Sequence, residues 1–216
     1  METNQKNMLI GGGVLVLILL VLGGWYLASN SKPVSTDTST FRSKAFWFDY
    51  PRTYDVREFE TGAVLVGSAE KREFTPLVQV MEYKSDPDEA LPVSYEAFVR
   101  QQALALCGSD DSKTNVECAD VVVEPFTSLN AFEGLKLTMS LVSTDLETEE
   151  VAVSSFGPIY AFDITKPGTA EDPLRYSTIF VNPTLAATLA KKDVTELLNN
   201  IVDRLVVNDG KSGTQL

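Results

Sequence analysis

Histidine is absent from this chain of 216 residues, and cysteine occurs only twice. Histidine is the side chain whose ordinary pKa lies nearest to neutral pH, so its absence removes the usual general base. Serine–histidine–aspartate and cysteine–histidine nucleophile systems are thereby excluded. Nearly all zinc sites are excluded as well, because those without histidine need four cysteines. We therefore predict no catalytic residues, no metal ligands and no cofactor, and we expect a protein that is not an enzyme.

The two cysteines, Cys107 and Cys118, lie on either side of a polar stretch rich in serine, aspartate and asparagine. A flexible stretch of this kind lets its ends meet, and in an oxidising compartment a disulfide would follow. Closing so short a loop should stabilise the fold by roughly 2–3 kcal/mol. The spacing does not match a redox-active Cys-x-x-Cys pair. We predict a Cys107–Cys118 disulfide, with two unrelated buried thiols as the alternative.

Positive charge is scarce, since 18 lysines and arginines face 30 acidic residues for a net charge of −12. Nucleic-acid affinity depends on lysine and arginine neutralising phosphates, so we predict no nucleic-acid partner. Acidic clusters occur at residues 86–89, 110–111 and 147–150. None of them matches the calcium-binding loop pattern, and we interpret them as solvated turns, with a weak calcium site as the alternative.

Charge is missing altogether from Met8 to Ala28. A helix of about 21 residues at ~1.5 Å per residue spans roughly 30 Å, the thickness of a bilayer's hydrocarbon core. A cleaved signal peptide is the alternative, but its apolar core is shorter, and Tyr26 stands where a cleavage site needs a small residue. The predicted organisation is a short tail at 1–7, a transmembrane helix in membrane lipid at 8–28, a polar linker at 29–40, a folded domain at 41–209 and a disordered tail at 210–216.

The orientation of this anchor is not determined by the flanking charges. The end of a transmembrane helix that carries more lysine and arginine usually lies in the cytoplasm. Here Lys6 precedes the apolar run, whereas Lys32 and Arg42 follow it, so this rule does not identify the cytoplasmic end. We expect a single-pass protein of the cell membrane with its N-terminus in the cytoplasm and its domain outside. That expectation depends on the cysteine pair and on the family resemblance described below.

Period-two alternation and β-branched residues predict most of the domain's elements as strands. A helix should begin at the N-cap Ser94 and end at Cys107 and Gly108. Pro183 should stand at a first helical position, and Asp193 to Glu196 matches a capping box before an amphipathic helix. The predicted strands span residues 46–51, 62–67, 76–83, 119–123, 134–142, 151–164 and 175–181.

The pattern Phe46-x-Phe48-x-Tyr50-Pro51-x-x-Tyr54-x-Val56 resembles the opening of PsbP-like domains, with Tyr54 where that family usually has tryptophan. The resemblance implies an α+β fold, in which helices cover the faces of an antiparallel β-sheet as an α/β/α sandwich. It implies no catalytic set, because members of the family mostly bind partners or scaffold complexes.

The aromatic residues at the start of the domain are the candidate site. Trp47 and Tyr54 form the candidate partner surface, because an exposed aromatic patch is typical of protein interfaces. The alternative is core packing, since Trp47 would also be buried in a sheet with helices on both faces. The predicted function is a membrane-anchored extracytoplasmic module that binds a protein partner, as an accessory or assembly part of an envelope complex. A tethered module for a small ligand or an ion is the alternative function.

Overall fold

The computed structural model describes residues 37–70, 73–107, 114–169 and 174–207. The strands in these ranges are β1 (Thr38–Arg42), β2 (Phe46–Pro51), β3 (Asp55–Glu58), β4 (Val64–Glu70), β5 (Glu73–Lys84), β6 (Thr114–Thr127), β7 (Glu133–Asp145), β8 (Val151–Asp163), β9 (Ser177–Pro183) and β10 (Val206–Val207). The helices in these ranges are α1 (Tyr95–Ala105), α2 (Leu185–Leu189) and α3 (Thr195–Arg204).

The strands form two antiparallel sheets rather than the one that we predicted. The larger sheet has seven strands in the order β3-β4-β5-β9-β8-β7-β6, and the smaller has three in the order β1-β2-β10. In the smaller sheet, β2 near the start of the domain pairs with β10 at its end, and Trp47 lies opposite Val206. The α+β class and the antiparallel pairing are therefore confirmed, and the second sheet is a correction.

Both faces of the seven-stranded sheet are covered over its central strands. On β9, Ile179 and Val181 join one core cluster and Phe180 joins the other, because side chains alternate across a strand. The first cluster includes Phe48 of β2 and Ile201 of α3, so one face is covered by the small sheet together with a helix. Each such fully buried side chain stabilises the fold by about 1.5–3 kcal/mol.

The second cluster lies on the opposite face, beneath α1. Phe98 and Val99 of this helix pack with Leu141 of β7 and Phe156 of β8. Leu185 and Leu189 of the short helix α2 pack against the edge of the same cluster. Helices therefore pack on both faces of the large sheet, as predicted. On one of these faces the small sheet packs as well, next to α3.

The ends of the helices show which local signals the fold uses. Ser94 caps α1 as predicted, because its hydroxyl accepts the backbone N–H of Ala97 at 3.1 Å. The Pro183 prediction is wrong, since this residue ends β9 and Thr184 caps α2. The capping box is wrong as well: the Asp193 carboxylate accepts the N–H of Thr195 at 3.1 Å, and Val194 is the N-cap without a side-chain hydrogen bond.

The boundaries of the domain differ at its start from those that we predicted. β1 begins at Thr38, so residues 38–40 of the predicted linker belong to the small sheet. The predictions for residues 1–7, 8–28, 29–36 and 210–216 lie outside the described residues. Among the helices of the described ranges, none has the length and apolar character needed to cross a membrane.

Candidate functional site

The predicted disulfide is confirmed. Cys107 follows α1, and Cys118 lies on the edge strand β6, with their Cα atoms 6.0 Å apart. Both side chains border the second core cluster, where Cys107 is buried. The bond therefore ties the end of α1 to the sheet on which this helix packs, and neither cysteine is a free thiol.

Trp47 lies on the outer side of β2, away from the core. Its neighbours Phe46 and Phe48 point inward and are buried, and the alternation of the strand sends Trp47 the other way. Across the small sheet it faces Arg42 on one side and Val206 on the other. The Arg42 guanidinium carbon lies 5.5 Å from the centre of the Trp47 ring system, a contact worth about 0.5–1 kcal/mol at an exposed site.

Tyr54 occupies a different environment. It is partly buried against the first core cluster, and its backbone N–H donates to the carbonyl of Pro51 at 3.0 Å in the turn after β2. Because Tyr54 packs inward and Trp47 points outward, the two predicted surface residues do not form one aromatic patch. A partner-binding role for Trp47 stays a prediction, and Tyr54 contributes to packing.

The acidic loops form turns by binding their own backbone. The Asp86 carboxylate accepts the N–H of Asp88 at 2.8 Å. The Asp145 carboxylate accepts the N–H groups of Glu147 and Thr148 at 2.8 and 2.9 Å. No group of three or more aspartate, glutamate, histidine or cysteine residues within the described ranges is placed to hold a metal ion. Residues 110–111 lie outside those ranges.

A small cavity lies between α1 and the loop that follows β5. Its lining includes Ser85, Asp86, Phe98 and Gln102, and its volume is about 20 Å³. The Ser85 hydroxyl is buried there without a hydrogen-bond partner. A cavity of this size accommodates about one water molecule, which would satisfy such a group but leaves no room for a metabolite.

Two partly buried tyrosines, Tyr95 of α1 and Tyr83 of β5, pack against the second core cluster. The Tyr95 hydroxyl shares a hydrogen bond of 2.8 Å with the hydroxyl of Thr178. Burial, above all, raises the pKa of Tyr95 well beyond its ordinary value, and the nearby Asp163 adds to that rise. Burial also raises the pKa of Tyr83. Tyr95 therefore serves as a hydrogen-bonding and packing group, and Tyr83 packs against Phe180 with ring centres 5.2 Å apart.

One part of the seven-stranded sheet has an uncovered face, which the sequence did not reveal. β6, β7 and β8 continue beyond the end of β9, and four of their valines point to the same side: Val142, Val151 and Val153 beyond the end of β9, and Val122 level with that end. We call these four residues the distal face. Val122, Val151 and Val153 are 57%, 63% and 74% exposed, because α3 and the small sheet cover only the central strands. The sequence pattern predicted β8 as a strand. It could not indicate at which residue of β8 the packing of α3 and the small sheet ends.

No protein-family model matches this chain, and no curated protein matches it. Among solved structures, it is similar to the solution structure of cyanobacterial PsbP (CyanoP) from Synechocystis sp. PCC 6803. The two share 10% sequence identity over 82% of this chain and 97% of that chain, with a TM-score of 0.42. A likeness at this level carries neither a family nor a function over to this chain.

Proposed function

We propose that this chain is a single-pass membrane protein whose domain lies outside the cytoplasm and binds a protein partner without catalysing a reaction. The observation that carries the proposal is the distal face. Val142, Val151 and Val153 are neighbours on this face, and exposed apolar side chains that lie next to one another are typical of surfaces that another protein covers. Binding there would remove Val151 and Val153 from water. Each Å² of apolar area buried in this way contributes about 25 cal/mol of favourable binding free energy.

The membrane anchor and the orientation are supported by two features of the chain. The uncharged run from Met8 to Ala28 is long enough to span a bilayer as a helix. The Cys107–Cys118 disulfide is of the kind that persists in oxidising compartments and is rare in the cytosol. Together they favour a domain that faces the outside from an anchor near its N-terminus.

A binding role is favoured over an enzymatic one by the chemistry of the chain. Histidine, the usual general base near neutral pH, is absent from the whole sequence. The cavity beside Ser85 has a volume of about 20 Å³, so this cavity has no room for a small-molecule ligand. Surface recognition is the activity that these residues support best.

Cross-linking in native membranes tests the proposal. The full chain, with an affinity tag at its C-terminus, is cross-linked, solubilised in mild detergent and separated under native conditions, next to a form that lacks residues 1–36. We expect the full chain to run in a discrete complex with a second protein. If both forms run only as monomers, the proposed partner does not exist.

A further inference from the structure

Among the strands of the described residues, none pairs with one edge of β8 over the first half of this strand. β7 pairs with β8 on one side from Val151 to Phe162, whereas β9 pairs on the other side only with Tyr160–Asp163. β9 ends at Pro183, and the chain turns there into α2. Within the described residues, the backbone of 151–156 is therefore unpaired on the side that faces away from β7.

The other long edge of this sheet is protected against further pairing. In β6, Pro125 lacks an N–H, and Glu117 and Glu124 place charges along the strand. The pairing with β7 is interrupted between Ala119 and Val122, and the Arg100 guanidinium donates to the carbonyl of Val121 at that bulge. Charges, proline and bulges are the devices by which proteins prevent a sheet edge from accepting another strand.

Between Val151 and Phe156, β8 carries none of these devices, and its own proline and bulge, at Pro158, follow only after this stretch. Its first residues read Val-Ala-Val-Ser-Ser-Phe, without charge or proline, and the side chains from Val151 to Ser155 are exposed. An exposed, uncharged and β-branched edge is a ready template for an added strand. The edge of β6 is protected against strand addition, whereas residues 151–156 of β8 are not. This difference favours a binding role for the β8 edge.

The register of the sheet limits what fits beside this edge. β5 and β8 lie on either side of β9, so they are two strand spacings apart, or roughly 9–10 Å. β5 continues from Val78 back to Glu73 beyond the end of β9. The Thr184 N–H donates to the Leu77 carbonyl at 2.9 Å and occupies the start of this gap. The remaining width suits a single extended segment and not the paired strands of a second copy.

Charge indicates which segment would bind. The turn between β7 and β8 leads directly into the free edge, and its residues Glu147, Glu149 and Glu150 are exposed. A strand added antiparallel to β8 would end beside Val151 and this turn, so lysine or arginine after that strand would meet opposite charge. A second copy of the chain, with a net charge of −12, would instead be repelled.

We propose that residues 151–156 of β8 accept an extended segment of a partner protein by strand addition. The segment is β-branched at alternate positions and is followed by lysine or arginine residues. This inference rests on the proposed function and specifies the site at which the partner docks. Backbone hydrogen bonds to β8 supply the affinity, Val151 and Val153 contact alternate side chains, and the acidic turn sets the direction of the added strand.

A synthetic peptide tests the proposal on the full chain in detergent micelles. The probe is Thr-Val-Thr-Val-Thr-Val-Lys-Lys-Lys, and amide hydrogen exchange is followed residue by residue. We expect saturating peptide to slow exchange, by about tenfold or more, of those amides between Val151 and Phe156 that point away from β7, since alternate residues of a strand bond to opposite neighbours. A peptide with glutamate in place of lysine should bind about tenfold more weakly. No added protection with the lysine peptide would overturn the proposal.

Lysine substitutions provide a matched pair of variants. The double variant V151K/V153K places charge on the free edge and should weaken peptide binding about tenfold or more. V122K changes an equally exposed valine of the same face on the protected strand β6, and should leave binding within about twofold. Thermal unfolding of each variant checks that the fold is intact. Equal losses in both variants would show that the valine face, and not the edge of β8, binds the peptide.

Two further outcomes separate this inference from the proposed function. If V151K/V153K still forms the cross-linked complex in native membranes, the partner docks elsewhere, so the edge proposal fails and the proposed function stands. If sedimentation shows that the chain alone dimerises and that V151K/V153K abolishes the dimer, the occupant is a second copy and the proposal is overturned.

Discussion

At the scale of single residues, the environment of each aromatic ring decides its role. Trp47 and Phe48 are neighbours in a strand, yet Phe48 is fully buried and Trp47 is partly exposed beside Arg42. Alternation alone predicts that they point to opposite sides. It does not predict how much of Trp47 stays exposed, because that depends on which elements pack over the small sheet.

Tyr95 should make stability depend on pH in alkaline solution. Its pKa is raised above the ordinary value of 10.0, mainly by burial, so folding favours the neutral phenol. That stabilisation is present below pH about 10 and is lost as the pH rises toward the folded-state pKa. In urea unfolding measured from pH 7 to 11, we expect the wild type to lose stability above pH about 10 and Tyr95→Phe to lose less.

Thr178→Val is the matched control for that measurement. It removes the hydroxyl that bonds Tyr95 but keeps the phenol, so it should cost about 1 kcal/mol at neutral pH and retain the alkaline loss. If Tyr95→Phe and the wild type lose stability in parallel above pH about 10, another group is responsible.

At the scale of elements, local signals located the strands and helices better than they located the ends. Ser94 caps α1 as its side-chain chemistry predicts, because a cap acts within one turn. Pro183 fits the first turn of a helix equally well by local chemistry. In the fold it ends β9, opposite Val78 of β5, since pairing with a distant strand outweighs that preference.

The disulfide should contribute measurably to the attachment of α1. The variant carrying Cys107→Ser and Cys118→Ser should lose roughly 2–3 kcal/mol of unfolding free energy, because the bond restricts a short loop in the unfolded chain. Urea unfolding measures the loss, and wild type treated with dithiothreitol is the control that should match the variant. Two thiols that react with iodoacetamide in exported, unreduced protein would contradict both the bond and the extracytoplasmic location.

At the scale of the whole molecule, the acidic surface and the uneven cover of the large sheet matter most. A net charge of −12 keeps the domain soluble and disfavours nucleic acid and a second copy. The central strands are buried on both faces, whereas β6, β7 and β8 extend beyond their cover. The surface that we propose for binding is therefore a consequence of strand lengths that differ across one sheet.

The orientation of the full chain can be read from protease access. Intact cells that express the chain are treated with a protease that cannot cross the membrane, and the fragments are detected through a C-terminal tag. We expect the tag and the domain to be digested from outside, because the disulfide favours an oxidising compartment. A cytoplasmic marker protein should be digested only after lysis. Protection of the domain until lysis would contradict the proposed orientation.

The sequence by itself determined the absence of histidine chemistry, the uncharged run from Met8 to Ala28, the two cysteines able to pair, and most strands of the domain. These properties follow from composition and from patterns within a few residues. Only the tertiary structure decided that β2 pairs with both β1 and β10 in a separate sheet, that Tyr54 packs inward, and that no other strand of the described ranges pairs with one edge of the first half of β8. Each of these depends on contacts between distant parts of the chain, and no local pattern records where a distant strand ends.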